Sequence, residues 1–226
     1  MKKNVISLFA SAIVLAILFT GCSKEDTTAP VITLVGPSSI NHVLNAAYTD
    51  QGATADDDED GDLTSTITSN VSVVNEDLTG NYTITYEVTD AAGNVATATR
   101  TVRVYNEAEN LVGTYSVVDE SPYPSSPGSP YNETLTVSST INKRIWVQKF
   151  GNYTDGVVYM DVNLTSNTIT IPVQTVLCGA PGFQTNRTFQ NAPSTTSTIG
   201  TGMLTIDYKE SVGASDVIAR GVYTKQ

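Results

Sequence analysis

The run from Asp56 to Asp62, Asp-Asp-Asp-Glu-Asp-Gly-Asp, is the densest chemistry in this chain of 226 residues. Alternate aspartates at Asp56, Asp58 and Asp60, followed by Gly61, reproduce the opening D-x-D-x-D-G of a calcium loop. In such a loop hard carboxylate oxygens converge on the ion and the glycine makes the turn. The glutamate that should close the loop is replaced by Ile67, and no helical pattern flanks the run. Two readings follow: a calcium site on Asp56, Asp58 and Asp60, or a solvated acidic turn before a strand at Leu63. No other cofactor is expected.

The remaining reactive residues do not assemble into a catalytic set. A serine or cysteine nucleophile wants a base, and His42 is the sole histidine, far in sequence from Cys178 and with no nucleophile elbow. Cys178 is expected to be a small buried hydrophobe. Zinc would want several Cys or His ligands that the chain lacks. Glu133, Asp155, Asp161, Asp207 and Glu210 offer carboxylates for glycosidic cleavage, but their spacing singles out no pair. The expectation is therefore a protein that is not an enzyme. Binding is better served. Tyr123 and Tyr131 stand in a proline-punctuated loop over 121–131, and Trp146 follows on a strand; such aromatics stack on sugars or proteins, or else pack on the barrel beneath. A second long loop runs over 177–197.

The N-terminus says where these residues are held. Lys2 and Lys3 precede an uncharged apolar run, Val5 to Phe19, too short to span a bilayer core of about 30 Å, so a secretory signal over 1–21 is expected. Leu18-Phe19-Thr20-Gly21-Cys22 resembles the lipobox of bacterial lipoproteins. That resemblance implies cleavage before Cys22 and acylation of its sulfur and new amine, with Phe19-Thr20 bulkier than usual. Two or three acyl chains hold for practical purposes permanently where one would not. Ser23-Lys24-Glu25-Asp26 resembles the acidic export signals of surface-exposed Bacteroidetes-type lipoproteins. The location implied is the outer membrane, lipid-anchored and facing the exterior, with residues 22–29 as the tether.

Charge and composition limit the partners. Loss of Lys2 and Lys3 takes the formal charge from −11 to −13, so nucleic acid and anionic lipid head groups are excluded as ligands. The membrane is a partner only through the anchor. With Cys22 acylated, Cys178 is the one remaining thiol and no internal disulfide can form. Thr, Ser, Val, Tyr, Asn and Gly dominate the mature chain without a 3.6-residue apolar period, which predicts an all-β protein.

The elements that must position these groups fall into two domains. Over 30–105, Tyr82, Ile84, Tyr86 and Val88 alternate along a strand; Asp90 to Asn94 makes a turn, and Val95 to Val104 returns. Arg100 falls on the apolar face of the return strand, which predicts a bulge or an arginine snorkelling at the sheet edge. Val31–Val35 and Val71–Val74 read as short strands. Leu78 to Tyr82 resembles a tyrosine corner. These blocks, with "DTTAPVITLVG" and "GATADDDEDGDLTSTI", resemble a bacterial immunoglobulin-like domain shared by a pesticidal crystal toxin and many surface proteins. The resemblance implies a spacer or adhesive module without known catalysis.

After a polar linker over 106–110, the pattern restarts at Leu111. Leu135, Val137 and Ile141 share a face, as do Trp146 and Phe150. Val158, Met160, Val162 and Leu164 form the next row, then Ile169, Ile171 and Val173, and lastly Leu204, Ile206 and Tyr208. About eight strands over 111–226 predict an antiparallel barrel or sandwich. The start "LVGTY" and this pattern resemble a lipocalin-like domain. The functional expectation is a non-catalytic binding or adhesion accessory for a glycan or protein, with the immunoglobulin-like domain as spacer. The alternatives are a structural envelope lipoprotein, or a barrel that holds a small apolar ligand.

Overall fold

The computed structural model describes residues 25–123 and 126–226, and it is all-β. Cys22 and the signal sequence lie outside the described residues. Among the described residues no helix is long and apolar enough to cross a membrane. By compactness the chain divides into two units. One holds the described residues up to Thr33 with Ala53–Thr68 and Tyr86–Ala98; the other holds Leu34–Gly52, Ser69–Thr85 and Thr99–Gln226.

The N-terminal strands are β1 (Val31–Leu34), β2 (Ser39–Val43), β3 (Ala53–Asp57), β4 (Gly61–Asp62), β5 (Thr68–Ser69), β6 (Gly80–Thr89) and β7 (Val95–Tyr105). They form a sheet of order β1-β3-β4 and another of order β2-β7-β6-β5. Strand β6 alternates as its sequence predicts, with Ile84, Tyr86 and Val88 all at most 2% exposed. The Tyr82 hydroxyl donates to the Leu78 carbonyl at 2.8 Å, the backward bond of a tyrosine corner.

Two local expectations are corrected. Val71–Val73 is a 3₁₀ turn and not a strand, with the amide of Val74 returning to the Val71 carbonyl at 3.2 Å. Val71 and Val73 are 38% and 43% exposed, so their alternation reflects no buried face. Arg100 neither bulges nor snorkels; it is fully buried. Its guanidinium pairs with Asp50 and donates to the carbonyls of Pro37, Val35 and Gly52 at 3.1, 2.5 and 3.2 Å. A buried arginine is tolerable only when its donors are met in this way.

The barrel strands are β8 (Gly113–Glu120), β9 (Tyr131–Val137), β10 (Arg144–Val147), β11 (Val158–Asn163), β12 (Thr168–Thr170), β13 (Gln174–Cys178), β14 (Thr185–Asn191), β15 (Ser197–Gly200), β16 (Met203–Val212) and β17 (Ser215–Lys225). Eight of them close a ring in the order β16-β15-β12-β11-β10-β9-β8-β17, sealed by the long β16–β17 hairpin. Strand β16 is shared along one edge. Its start pairs with β15 and its end with β14, so the β13–β14 hairpin extends the sheet beyond the ring with β13 as the last strand, where Gln174 bonds the Tyr159 amide and carbonyl at 3.0 and 2.8 Å. Between the two partners, the Ser197 hydroxyl accepts the Asp207 amide at 2.9 Å and so satisfies the ladder where it splits.

The inward face follows period two. Tyr115, Val117, Leu135, Ile145, Val147, Val158, Met160, Ile169, Leu204, Ile206, Tyr208 and Tyr223 are buried in one cluster. The expected pairing of Trp146 with Phe150 on one face is corrected here. Ile145 and Val147 take the interior, so Trp146 points outward, and Phe150 reaches the core only because a 3₁₀ turn at Phe150–Asn152 re-aims it. Ile141 sits in a turn and Val173 beyond a strand end, at 42% and 70% exposure. An extended pattern carries no burial where the chain is turning.

The expected linker 106–110 is bonded along its length. Asn106, 1% exposed, donates to the carbonyls of Ser138 and Ile141, both at 2.9 Å, and accepts the Lys143 amide at 2.9 Å. Glu107 accepts from the Asn142 side chain at 2.7 Å and pairs with Lys143 at 3.1 Å. Ala108 is fully buried in the barrel cluster. Asn45, held at φ +64°, completes the joint by accepting the Asn142 amide at 2.8 Å and donating to the Thr140 carbonyl at 3.0 Å. Polarity in the sequence here means hydrogen bonding and not freedom.

Candidate functional site

The three aromatic residues expected to bind ligand are not brought together. Register places Tyr131 opposite Val117 on the inward face, and its hydroxyl donates to Asp119 at 2.7 Å. Trp146 stands opposite Thr136 and Tyr159 on the outer face, edge-on to the Tyr159 ring at 5.5 Å and 61°. Tyr123 is covered by the Arg220 guanidinium, 4.1 Å from its ring centroid, and its hydroxyl accepts from Arg220 Nη1 at 2.8 Å. No flat aromatic platform results from these residues.

Aromatic rings pack together in the buried cluster of the barrel. Phe150 lies 4.5 Å from Tyr208 and 5.2 Å from Phe189, centroid to centroid, and all three are at most 2% exposed. Cys178 is buried among them, and burial pushes its thiol up, so it is poorly disposed to react.

The five carboxylates considered for catalysis each have a structural task or stand apart. Glu133 is 1% exposed and accepts the amides of Thr134, Gln148 and Lys149 at 2.8, 3.0 and 2.7 Å; burial raises its pKa despite those bonds. Asp161 is held by Arg144 at 2.7 and 3.0 Å, and Asp207 by Arg220 at 2.5 and 2.8 Å, both bidentate. Glu210 pairs with Arg187 and accepts from Tyr153 at 3.0 Å, and burial together with Glu210 pushes the Tyr153 phenol up to about 12. Asp155 is exposed in a turn, with Gln184 at 3.4 Å.

The acidic run behaves unlike a D-x-D-x-D-G loop. Asp56, Asp58 and Asp60 are exposed, and Asp60 accepts the Ala91 amide at 2.7 Å. Strand β3 turns Asp57 inward, because Ala55 already faces that way and side chains alternate. Asp57 Oδ1 then accepts the amides of Glu59 and Asp60 at 3.0 Å each, which closes the tight turn to β4 with Gly61 at φ +72°. Among the described residues the acidic cluster that forms is Asp26, Asp57 and Asp90. The alternate spacing drew attention to Asp56, Asp58 and Asp60 and passed over Asp57. Asp26 and Asp90 carried no signal for the site beyond standing at the start and end of the domain.

One surface group was also missed. Phe183, in the turn between β13 and β14, is 85% exposed, Leu177 on β13 is 54% exposed, and Val173, just before β13, is 70% exposed. The loop expected over 177–197 is corrected: the end of β13, all of β14 and the first residue of β15 fall within it, and only the turns over 179–184 and 192–196 are irregular.

The molecule thus belongs, by its strands, to the all-β proteins that join an immunoglobulin-like portion to a closed eight-stranded barrel. Residues 32–104 match the family model described as bacterial surface protein, Ig-like domain. An uncharacterised 81.3 kDa protein of Acholeplasma phage L2 is 27% identical over 178 residues, or 73% of this chain; the chain spans 22% of that relative's length. Among solved structures, a lipoprotein of Bacteroides thetaiotaomicron aligns with 87% of this chain and 100% of its own, at 16% identity and a TM-score of 0.34. CBM51-2 and INT domains of Clostridium perfringens ZmpB, solved with GlcNAc, align with 86% of this chain and 43% of theirs, at 17% identity and a TM-score of 0.27.

Proposed function

We propose that the protein is an outer-membrane lipoprotein, displayed outside the cell through Cys22, that serves as a non-catalytic binding accessory for a glycan or protein. The observation that carries this reading is the match of residues 32–104 to a bacterial surface immunoglobulin-like domain. Two features of the barrel support it. Its ionisable groups are largely spent on one another or on backbone amides, while Phe183 and Leu177 of the β13–β14 hairpin stand in water. An exposed aromatic at a hairpin tip is more often part of an interaction surface than a site of chemistry.

The anchor and the binding role are tested separately. Cys22→Ser should abolish palmitate labelling and release the protein from the membrane fraction, and protease added to intact cells should remove the unmodified protein. Retained labelling, or full protection in intact cells, overturns the anchor or the display. For binding, a glycan array and a pull-down with the full chain should yield a ligand whose retention falls at least tenfold in Phe183→Ala with Tm unchanged. Retention indifferent to Phe183 removes that hairpin from the binding surface.

A further inference from the structure

Three carboxylates from distant segments meet in the N-terminal part of the molecule. Asp26 lies in the extended segment before β1, Asp57 ends β3, and Asp90 opens the turn between β6 and β7. Each contributes an oxygen to a group whose members all lie within 4.8 Å of one another. Asp57 and Asp90 are only 6% and 7% exposed. Among the described residues no lysine or arginine pairs with any of the three. Like charges held this close, without a cation and with little water, repel strongly.

The hydrogen bonds around the cluster show which oxygen is left over. Asp90 spends Oδ1 on the Asn94 amide at 2.7 Å and Oδ2 on the Asn94 side chain at 2.8 Å. Asp26 accepts the Thr28 amide on Oδ1 at 2.9 Å, and its carbonyl accepts from Asn94 Nδ2 at 3.3 Å. Asp57 spends Oδ1 on two amides, yet its Oδ2 is cut off from solvent and has no hydrogen-bond partner. Buried carboxylate oxygens without partners are rare because the lost hydration is not replaced. A cation seated among the three aspartates removes both faults at once.

We propose that Asp26, Asp57 and Asp90 bind a calcium ion. The donors are all oxygen, which selects a hard cation over zinc or copper. They reach the site from three separate backbone segments that also bond to amides, so their angles are set by the chain. Calcium accepts such irregular sets at 2.3–2.6 Å and completes its shell with carbonyls or water, whereas magnesium demands a near-ideal octahedron. The ion would bridge the N-terminal segment to the β3–β4 and β6–β7 turns. Where Cys22 carries the lipid, that bridge also stiffens the tether at the point where it meets the domain; this consequence rests on the lipoprotein reading, and the site itself does not.

The test uses the full chain, purified in detergent and freed of divalent ions, titrated with calcium or magnesium alone at constant ionic strength. Calcium should give saturable calorimetric binding in the range of about 10⁻⁴ to 10⁻³ M, and about 10 mM should raise Tm by roughly 5 °C. Magnesium should do much less. Asp57→Asn and Asp26→Asn should each abolish the calcium response, while Asp58→Asn, on the exposed side of the same turn, should keep it. Should Asp57→Asn fail to fold, Asp26→Asn decides, because Asp26 is only partly buried. Equal responses to the two ions, or a full calcium response in Asp26→Asn, would overturn the proposal.

Discussion

Asp119 shows how a single residue can be set against its surroundings. It lies on the inward face of β8, accepts from Tyr131 on Oδ2 at 2.7 Å, and has Oδ1 buried with no partner. Burial raises its pKa, the Glu133 charge adds to the rise, and the Tyr131 bond opposes it. A carboxyl whose folded pKa is raised favours the protonated form in the fold. Its contribution is present in full below the ordinary carboxylate range, about pH 4, and is lost as pH rises through the raised value. Asp119→Asn keeps an acceptor for Tyr131 and carries no charge, so it should melt above the wild type at pH 7. The difference should close as pH falls toward about 4. Melting curves across that range check it, and a gap independent of pH would mean that the Asp119 charge is not the cause.

At the scale of elements, the barrel repeats one device three times: an arginine bound to a carboxylate and laid over a tyrosine. Arg144 with Asp161 and Tyr159, Arg187 with Glu210 and Tyr153, and Arg220 with Asp207 and Tyr123 place the guanidinium 4.0, 4.1 and 4.1 Å from the ring centroids. In two of these the arginine and carboxylate are direct cross-strand partners, so strand register assembles them. The β17 strand also carries a demand that its sequence alone would not justify. A Cβ built on Gly221 would come within 2.8 Å of both Asp119 Oδ1 and the Tyr223 ring. Gly221→Ala should therefore cost about 1–3 kcal/mol as an overpacking change. Chemical denaturation measures this, and a loss below about 0.5 kcal/mol would show that β8 and β17 can part without strain.

For the molecule as a whole, the joint around Asn106 decides how the later strands follow the earlier ones. The Asn106 side chain meets three backbone groups of the 138–143 segment and the Ala108 amide, and replacing it by alanine takes these bonds from the Ser138 and Ile141 carbonyls and from the buried Ala108 amide, while the Lys143 amide keeps Asn142 Oδ1. Each such loss costs about 1–3 kcal/mol when water cannot enter. Limited proteolysis should accordingly leave the wild-type chain intact across 106–110 and cut Asn106→Ala there. Cleavage of the wild type at that segment under native conditions would contradict a closed joint. The Asn-rich, charged composition of the segment suggested the opposite, because a polar side chain reads the same whether it meets water or backbone.

Much of the fold was legible in the chain order itself. The strict alternation of Tyr82 to Val88, the turn residues Asp90 to Asn94 and the Leu78–Tyr82 corner depend on neighbours a few positions apart, and local sterics settle them. The all-β class also followed, since period-two rows such as Leu204, Ile206 and Tyr208 mark strands with one buried face, but a barrel and a sandwich give the same rows, and only the β16–β17 pairing closes the ring. What tertiary structure alone decided was which polar residues meet. Asp26, Asp57 and Asp90 are brought together from the segment before β1 and from two separate turns, Arg100 finds Asp50 and three carbonyls across the chain, and Tyr131 turns inward while Trp146 turns out. Each outcome depends on register and on contacts across long sequence separations, where a shift of one residue reverses every side chain.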